Sequence, residues 1–557
     1  MLASPVKPVV MALLAAFVSG GVALAQPVTD AELTRRQALQ QEQARQRAAG
    51  APDVFTSPRT GQPDAPAPDQ ESPCFTIRGI DWRGLEPFSW LRAAETQILG
   101  KCVGARGLLA FQNRLTQALI DRGYITSRAL IPEQNLASGR LAVQILAGRI
   151  GEIRSEGHRP GTVALAMPAR QGGFLNQRDL DQALENIRRL ATQYNVEFDL
   201  VPGGKPGETD IVVKYPEGKR WRGLLTLDDS GADSTGKYQL GGVLTFDSPL
   251  RLHDALTLTL NRNANFSNNT LGTSSSSVSW SMPFGYWSIL AGINQSEYKQ
   301  TVAGFGGDIV YSGRSHGGEV GIGWVPYRAP SMRGTLHVKL NRKVSRSYID
   351  DTAIDVQYRN VTGYDASYTH RQYLGNSTLD VALGLKGSLP GHSSAPGLIV
   401  GAPDWDGVYR IQTLNASLSL PFAIGREQFR YQAGARVQRA TTLVPNFEFF
   451  SIGNRYTVRG FDGQSTLAAE EGWLLRNDLV WLTGRGMHEF FIALDFGRVG
   501  GPHAATLAGK ALTGTAFGLR GRLDRFNYEF TLGRPLAKPD GFDTQSLTMT
   551  VSLGAEF

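Results

Sequence analysis

The chain ends on an alternation that leaves few folds open to it. Leu547, Met549, Val551, Leu553, Ala555 and the terminal Phe557 fall on one face, and Thr548, Thr550, Ser552 and Glu556 on the other. A period of two puts successive side chains on opposite sides of a sheet, and one apolar face beside one polar face suits a wall between lipid and water. The pattern recurs upstream in Leu256/Leu258/Leu260, Leu379/Val381/Leu383, Leu414/Ala416/Leu418/Leu420, Phe490/Ile492/Leu494/Phe496 and Phe526/Tyr528/Phe530/Leu532. From Arg220 to Phe557, at roughly 20 residues per strand with its turn or loop, the sequence predicts a transmembrane antiparallel β-barrel of about 16 strands. Trp280, Tyr286, Trp287, Trp324, Tyr327, Trp473 and Trp481 lie near strand ends, where interfacial aromatic girdles belong.

The amino terminus agrees. Lys7 precedes an apolar run from Val9 to Val22, and Ala23-Leu24-Ala25 gives a small-x-small cleavage site, so residues 1–25 are expected to be a secretory signal peptide. That run is broken by Ser19-Gly20-Gly21, and no other stretch reaches the roughly 18 to 20 apolar residues of a helical span. The 64 glycines and slightly negative mean hydropathy suit a barrel, which hides its apolarity in alternation. The net charge of +7 is spread along the chain, which gives no nucleic-acid footprint. The two cysteines, Cys74 and Cys102, are 28 residues apart in one early segment. In an exported protein such a pair is expected to form a disulfide, stabilising by about 3 kcal/mol on a loop-entropy estimate.

Between signal and barrel the composition shifts three times. Residues 26–49 read as a polar helix, with capping-box spacing at Thr29 and Glu32 and only Leu33 and Leu39 as large aliphatics. Residues 50–73 hold six prolines and read as an extended linker, reaching on the order of 70 Å at about 3.1 Å per residue. Two small α/β units follow, over 74–149 and 150–216. In the first, a strand through Phe75, Ile77 and Ile80 leads to a helix from Leu108 to Arg122, then strands Ile125–Ile131 and Arg140–Leu146. In the second, Asn176 caps a helix with Leu180, Leu184, Ile187 and Ala191 on one side, followed by strands Val196–Val201 and Asp210–Tyr215. The barrel occupies 217–557.

Gly123-Tyr124-Ile125-Thr126-Ser127-Arg128, followed by Ile131-Pro132-Glu133-Gln134-Asn135-Leu136, resembles the first polypeptide-transport-associated (POTRA) domain of two-partner secretion transporters, the secretion/activation family for haemolysins, filamentous adhesins and contact-dependent inhibition toxins. Thr226-Leu227-Asp228-Asp229-Ser230-Gly231 resembles the start of that family's barrel. The resemblance covers the mature chain in order: plug helix, linker, two POTRA domains, barrel. It implies that Val458-Arg459-Gly460-Phe461 forms the tip of a long loop folded into the lumen, facing the pattern Phe491, Asp495 and Gly497. Alternation supports this independently, since lipid-facing Phe490, Ile492, Leu494 and Phe496 turn Phe491, Asp495 and Gly497 inward. The same count makes Glu529 a second inward carboxylate. Phe557 resembles the terminal insertion signal of outer-membrane barrels.

The resemblance implies a function: a pore of the cell outer membrane that takes an unfolded periplasmic polypeptide through its POTRA domains and passes it to the surface without ATP. The expected partners are a large secreted polypeptide with an N-terminal secretion domain, outer-membrane lipid, and the barrel-assembly machinery. No nucleic acid, cofactor or metal is expected, and the chain is expected not to be an enzyme. Gly313-Arg314-Ser315-His316-Gly317 matches a nucleophile elbow, but that motif needs a strand-to-helix turn and this one lies in β pattern. A barrel-assembly insertase of the same superfamily is the alternative; two POTRA units and a plug helix favour secretion. An ordinary porin would leave the two α/β units without a use.

Overall fold

The computed structural model describes residues 71–156, 163–216, 218–266, 270–304, 307–393, 407–483 and 487–557. The expected signal peptide, the helix over 26–49 and nearly all of the linker lie outside them.

The first α/β unit comprises β1 (Phe75–Thr76), β2 (Gly79–Arg83), β3 (Cys102–Val103), α1 (Ala105–Asp121), β4 (Arg128–Leu130) and β5 (Arg140–Leu146). Phe111, Leu115 and Leu119 recur at helical spacing along α1, and that stripe is buried against Ile77, Phe88, Leu141, Val143 and Ile145. β5 pairs parallel with β2 and antiparallel with β4. Cys74 and Cys102 form a disulfide beside the β1–β3 pair. The strand expected through Phe75 and Ile80 is split in two. The strand expected over Ile125–Ile131 shrinks to three residues, because the chain before it is used as a joint.

The second unit comprises β6 (Arg149–Glu156), α2 (Val163–Ala166), α3 (Gln177–Arg188), β7 (Glu197–Pro202) and β8 (Glu208–Lys214), with β8 central, parallel to β6 and antiparallel to β7. The Asn176 side chain accepts from Arg178 N at 2.9 Å, capping α3 as its sequence suggests. Leu180, Ala183 and Ile187 are buried in the core, whereas Leu184 is half-buried and Ala191 falls beyond the helix, exposed. Asp181, Gln182 and Asn186 are buried too, on a face that meets the barrel.

The Gly123–Arg128 segment joins the two units. Gly123 has φ +93° and a Cβ there would stand 2.4 Å from Asn176 Oδ1, so only glycine fits. Tyr124 packs on the first core and Ile125 on the second, and buried Ser127 accepts from Gly148 N at 2.9 Å.

The barrel strands are β9 (Trp221–Asp228), β10 (Gln239–Asp247), β11 (Ala255–Asn263), β12 (Gly272–Phe284), β13 (Trp287–Gly304), β14 (Gly307–Ala329) and β15 (Met332–Ile349). After the two-residue β16 (Thr352–Ala353) come β17 (Arg359–Leu374), β18 (Ser377–Ser388), β19 (Arg410–Ile424) and β20 (Glu427–Ala440). Two short strands in a long loop, β21 (Phe450–Ile452) and β22 (Leu467–Ala469), pair with each other. β23 (Glu471–Thr483), β24 (His488–Gly500), β25 (Ala511–Leu523), β26 (Phe526–Ala537) and β27 (Thr548–Glu556) complete the wall. Among the described residues sixteen membrane strands, with β16 appended, form one closed antiparallel barrel in which β27 returns to β9. In β24 the alternation is complete: Ile492 and Leu494 are 59% and 41% exposed, while Phe491 and Asp495 are 2% and 0%. Trp287 stacks on its cross-strand neighbour Trp324 at 5.4 Å between centroids.

The second unit is pinned to one rim. Arg189 Nη2 donates to the carbonyls of His253 (2.6 Å) and Ser281 (2.9 Å), and its Nη1 to Ser281 Oγ (2.9 Å). Asn186 donates to Gly285 O at 2.7 Å, and Glu185 pairs with Arg328 (2.6 Å) and Arg333. Tyr286, grouped by sequence with the girdle, instead donates its hydroxyl to Asp179 at 2.6 Å, since its turn faces the second unit rather than lipid. Trp280 likewise donates to Asp254 at 2.8 Å. Burial pulls Arg189 down to about 10, partly offset by Asp254 and Asp247. Burial, helped by Arg189 and opposed by Asp254, brings His253 down to about 4.

Candidate functional site

The 30 residues between β20 and β23 do not stay outside. They run along the inner wall and carry a small hydrophobic core into the barrel: Phe450, Ile452, Val458, Phe461 and Leu467 of the loop against Leu474, Val499, Leu512 and Phe542. Val458 and Phe461 are the anchors of the Val-Arg-Gly-Phe motif, 0% and 3% exposed, and Phe461 meets Phe542 edge to face at 5.8 Å. Burial of two such side chains stabilises by about 1.5–3 kcal/mol each.

Between the anchors, Arg459 faces the wall. Its Nε donates to Asp495 Oδ2 at 2.7 Å, its Nη2 to Asp495 Oδ1 at 2.8 Å, and its backbone N to Oδ2 at 3.0 Å. This is a two-pronged guanidinium–carboxylate pair with Asp495 fully buried, the geometry in which such contacts are strongest. Nη2 also donates to Asp478 on β23. Arg476 stands nearby, its Nε 3.9 Å from Asp495 Oδ2 and its Nη1 donating to Tyr456 O at 3.2 Å. Two arginines thus face two aspartates. Opposite Asp495 the β23–β24 ladder opens, and Asn477 N turns to Asp495 Oδ1 at 3.4 Å.

Glycines make the room. Gly460 has φ +95°, and a Cβ there would meet Arg534 O at 2.4 Å. Across from it, a Cβ on Gly514 would fall 1.8 Å from Arg459 O, on Gly533 2.9 Å from Gly460 N, and on Gly497 2.8 Å from Val458 Cγ2. Three neighbouring strands therefore form a trough that only a side-chain-free wall provides. Phe491 continues the wall, its ring lying over Gly518, with Arg459 and Arg520 at 5.9 and 5.1 Å from its centroid. Below it, Glu489 takes Arg430 at 2.6 Å and Arg520 at 2.7 Å.

Of the residues singled out from sequence, the structure brings Val458, Arg459, Gly460, Phe461, Phe491, Asp495 and Gly497 together. Glu529 lines the same polar cavity of about 450 Å³, with Asp228, Arg455 and Arg476, but the second carboxylate on Arg459 is Asp478. Asp478 was missed although alternation could have found it: lipid-facing Trp473, Leu479 and Trp481 turn Leu474, Arg476, Asp478 and Val480 inward. Gly514 and Gly533 gave no signal among 64 glycines. Cys74, Cys102 and Phe557 lie elsewhere: the disulfide in the first unit, and Phe557 at the barrel seam, where it exchanges backbone bonds with Gly223 at 3.2 and 2.9 Å. Ser315 sits mid-strand in β14, hydrogen-bonded to Ser345 Oγ at 2.8 Å, which is not a strand-to-helix elbow.

Residues 207–521 match the family described as haemolysin secretion/activation protein ShlB/FhaC/HecB; residues 75–148 match a ShlB-type POTRA domain and 149–202 a POTRA domain. The chain is 31% identical to outer membrane transporter CdiB-2 of Burkholderia pseudomallei over 95% of this chain and 96% of that one. It is 25% identical to the haemolysin transporter protein ShlB of Serratia marcescens over 75% and 74%. Among solved structures, CdiB from Escherichia coli superposes with a TM-score of 0.85 at 25% identity, covering 96% of this chain and all of that one.

Proposed function

The chain belongs to the haemolysin secretion/activation family of two-partner secretion transporters in the outer membrane, with its POTRA domains in the periplasm, and from that premise we propose how its parts divide the work. The client is a secreted polypeptide of the contact-dependent inhibition class; the similarity to CdiB transporters over almost the full length supports this over a haemolysin. An N-terminal secretion domain on that client adds a strand to the free sheet edges of the two α/β units, main-chain bonds giving affinity and alternate side chains selectivity. The wet lumen lets an extended polar chain pass without giving up its hydration. Folding of the client outside drives transport, with no chemical step on the client. Residues 26–49 plug the resting pore and the proline-rich linker lets them leave. The barrel-assembly machinery recognises Phe557, and lipid contacts the apolar strand faces.

The observation that carries the mechanism is the Arg459 clasp on Asp495 and Asp478. It holds the long loop inside the lumen against the wall, and release of the loop is the step that widens the passage for a chain. Losing Arg459 forfeits three charge-assisted side-chain hydrogen bonds, each worth about 1.5–3 kcal/mol, enough to unseat the loop even with Arg476 left beside Asp495.

The test is co-expression with the exported partner. Surface display should require this chain and fail with Arg459→Ala, while single-channel conductance rises in that variant and on deletion of residues 27–49. Display without this chain would overturn the transport reading; unchanged conductance in either variant would overturn the gate or the plug.

A further inference from the structure

The Thr226–Gly231 segment takes no part in the Arg459 clasp, yet it ends at the weakest seam of the barrel. β9 and β27 close the wall through five register pairs, Ser552↔Asp228 to Glu556↔Leu224, against eight for β26–β27 and eight for β9–β10. At the periplasmic end the Gly223–Phe557 backbone bonds finish it. At the other end the last rung is irregular. Asp229 N donates to Val551 O at 3.3 Å, but the return bond from Val551 N goes to the Asp229 side chain, Oδ1, at 3.0 Å. A side chain stands where a regular ladder would use a carbonyl.

That same Oδ1 accepts from Arg455 Nη2 at 2.7 Å. Arg455 lies in the lumen loop, three residues before Val458, and also faces Asp228 at 4.0 Å. The Asp229 side chain is only 7% exposed. One carboxylate oxygen therefore completes the seam and seats the loop.

We propose that Asp229 and Arg455 are positioning residues for transport, coupling closure of the β9–β27 seam to occupancy of the lumen by the loop. With Arg455 in place, the Asp229 charge is compensated and its oxygen is held where Val551 N needs it. When the loop leaves, Arg455 leaves with it. The carboxylate is then poorly solvated and without a cation, and turning toward water relieves it. That turn releases Val551 N–H and frays the extracellular end of the seam. Coupling of this kind is reciprocal, so a frayed seam also loosens the loop. The consequence for transport rests on the loop-withdrawal reading above; the coupling itself is a property of the resting protein.

Hydrogen exchange of the full-length protein in lipid nanodiscs, read on segments 221–231 and 547–557, tests it, with surface display measured in parallel. Arg455→Gln should speed exchange around Val551 roughly five- to tenfold, within the span of ordinary coupling energies. Arg455→Lys, which keeps the charge, should restore part of the protection. Arg459→Gln, which unseats the loop at its other anchor, should also loosen the seam, but add nothing in an Asp229→Ala background. Unchanged seam exchange in Arg455→Gln overturns the coupling, as does an Arg459→Gln effect of equal size with and without Asp229. Lost display with an unmoved seam overturns the coupling and leaves the transport reading standing. A loosened seam with normal display leaves the coupling standing and overturns the role of Asp229 and Arg455 in transport.

Discussion

The second unit and the lumen loop are each fastened to the barrel through an arginine, and the two contacts are built on opposite plans. At the periplasmic rim, Arg189 is spent on neutral acceptors: two backbone carbonyls and a serine hydroxyl. Inside the lumen, Arg459 is spent on two carboxylates, one of which, Asp495, has a second cation, Arg476, 3.9 Å away. At the rim no second cation sits on those acceptors among the described residues, so opening the contact leaves two part-buried carbonyls without their donor. The lumen contact can lose its arginine and still find Asp495 a counter-ion. Compensation by a resident charge is what separates a contact made to be exchanged from one made to stay.

The comparison can be broken at three points. Gly514→Val places side-chain carbon against Arg459 O and should destabilise the seated loop by about 3 kcal/mol, the upper end of overpacking costs, with the barrel intact. A rise in conductance without loss of heat-resistant barrel mobility on gels would show it; an unchanged conductance would mean the trough is not needed. Arg189→Met should cost about 2 kcal/mol at the rim, the value of hydrogen bonds from a charged donor. Limited proteolysis between Tyr215 and Trp221 should quicken, with conductance unmoved; a conductance change would erase the distinction between the two contacts.

The smallest effect is one of pH. His253, in the β10–β11 turn, is held neutral by its surroundings, with its value brought from 6.5 to about 4. A lowered value means that its contribution is present above the unfolded value and is lost as pH falls toward the folded one. At pH 5.5, one unit below 6.5, the rim contact should weaken by about 1.4 kcal/mol, since one unit is worth 1.36 kcal/mol. Proteolysis between Tyr215 and Trp221 should speed up between pH 7 and 5.5 in the native protein and not in His253→Gln. Equal acid sensitivity in both would remove His253 from the account.

How much of this was legible in the sequence differs between the two contacts for a physical reason. The wall of the lumen obeys a period of two, so Phe491, Asp495 and Gly497 could be turned inward by counting from their lipid-facing neighbours, and Asp478 could have been found likewise. The trough could not, because Gly514 and Gly533 matter only through a loop that crosses them from elsewhere in the chain. The rim contact was opaque for the same reason: Arg189 meets carbonyls 64 and 92 residues away, and a carbonyl carries no residue type to recognise. Tyr286 shows the cost, since its place at a strand end suggested lipid and its partner is Asp179. The α/β units read well where one apolar stripe faces one core, as in α1, and poorly where α3 serves two surfaces at once.

The second unit is fastened to the turns that follow β10, β12 and β14, with Glu185, Asn186 and Arg189 all on that side. It therefore sits against one sector of the periplasmic rim, away from β23 and β24, which carry the clasp. A polypeptide arriving there comes first to Glu489 between Arg430 and Arg520, then to Phe491, and only then to Arg459. The ion pairs at Glu489 therefore stand between the periplasmic mouth and the latch, and a chain reaches Arg459 only after passing them.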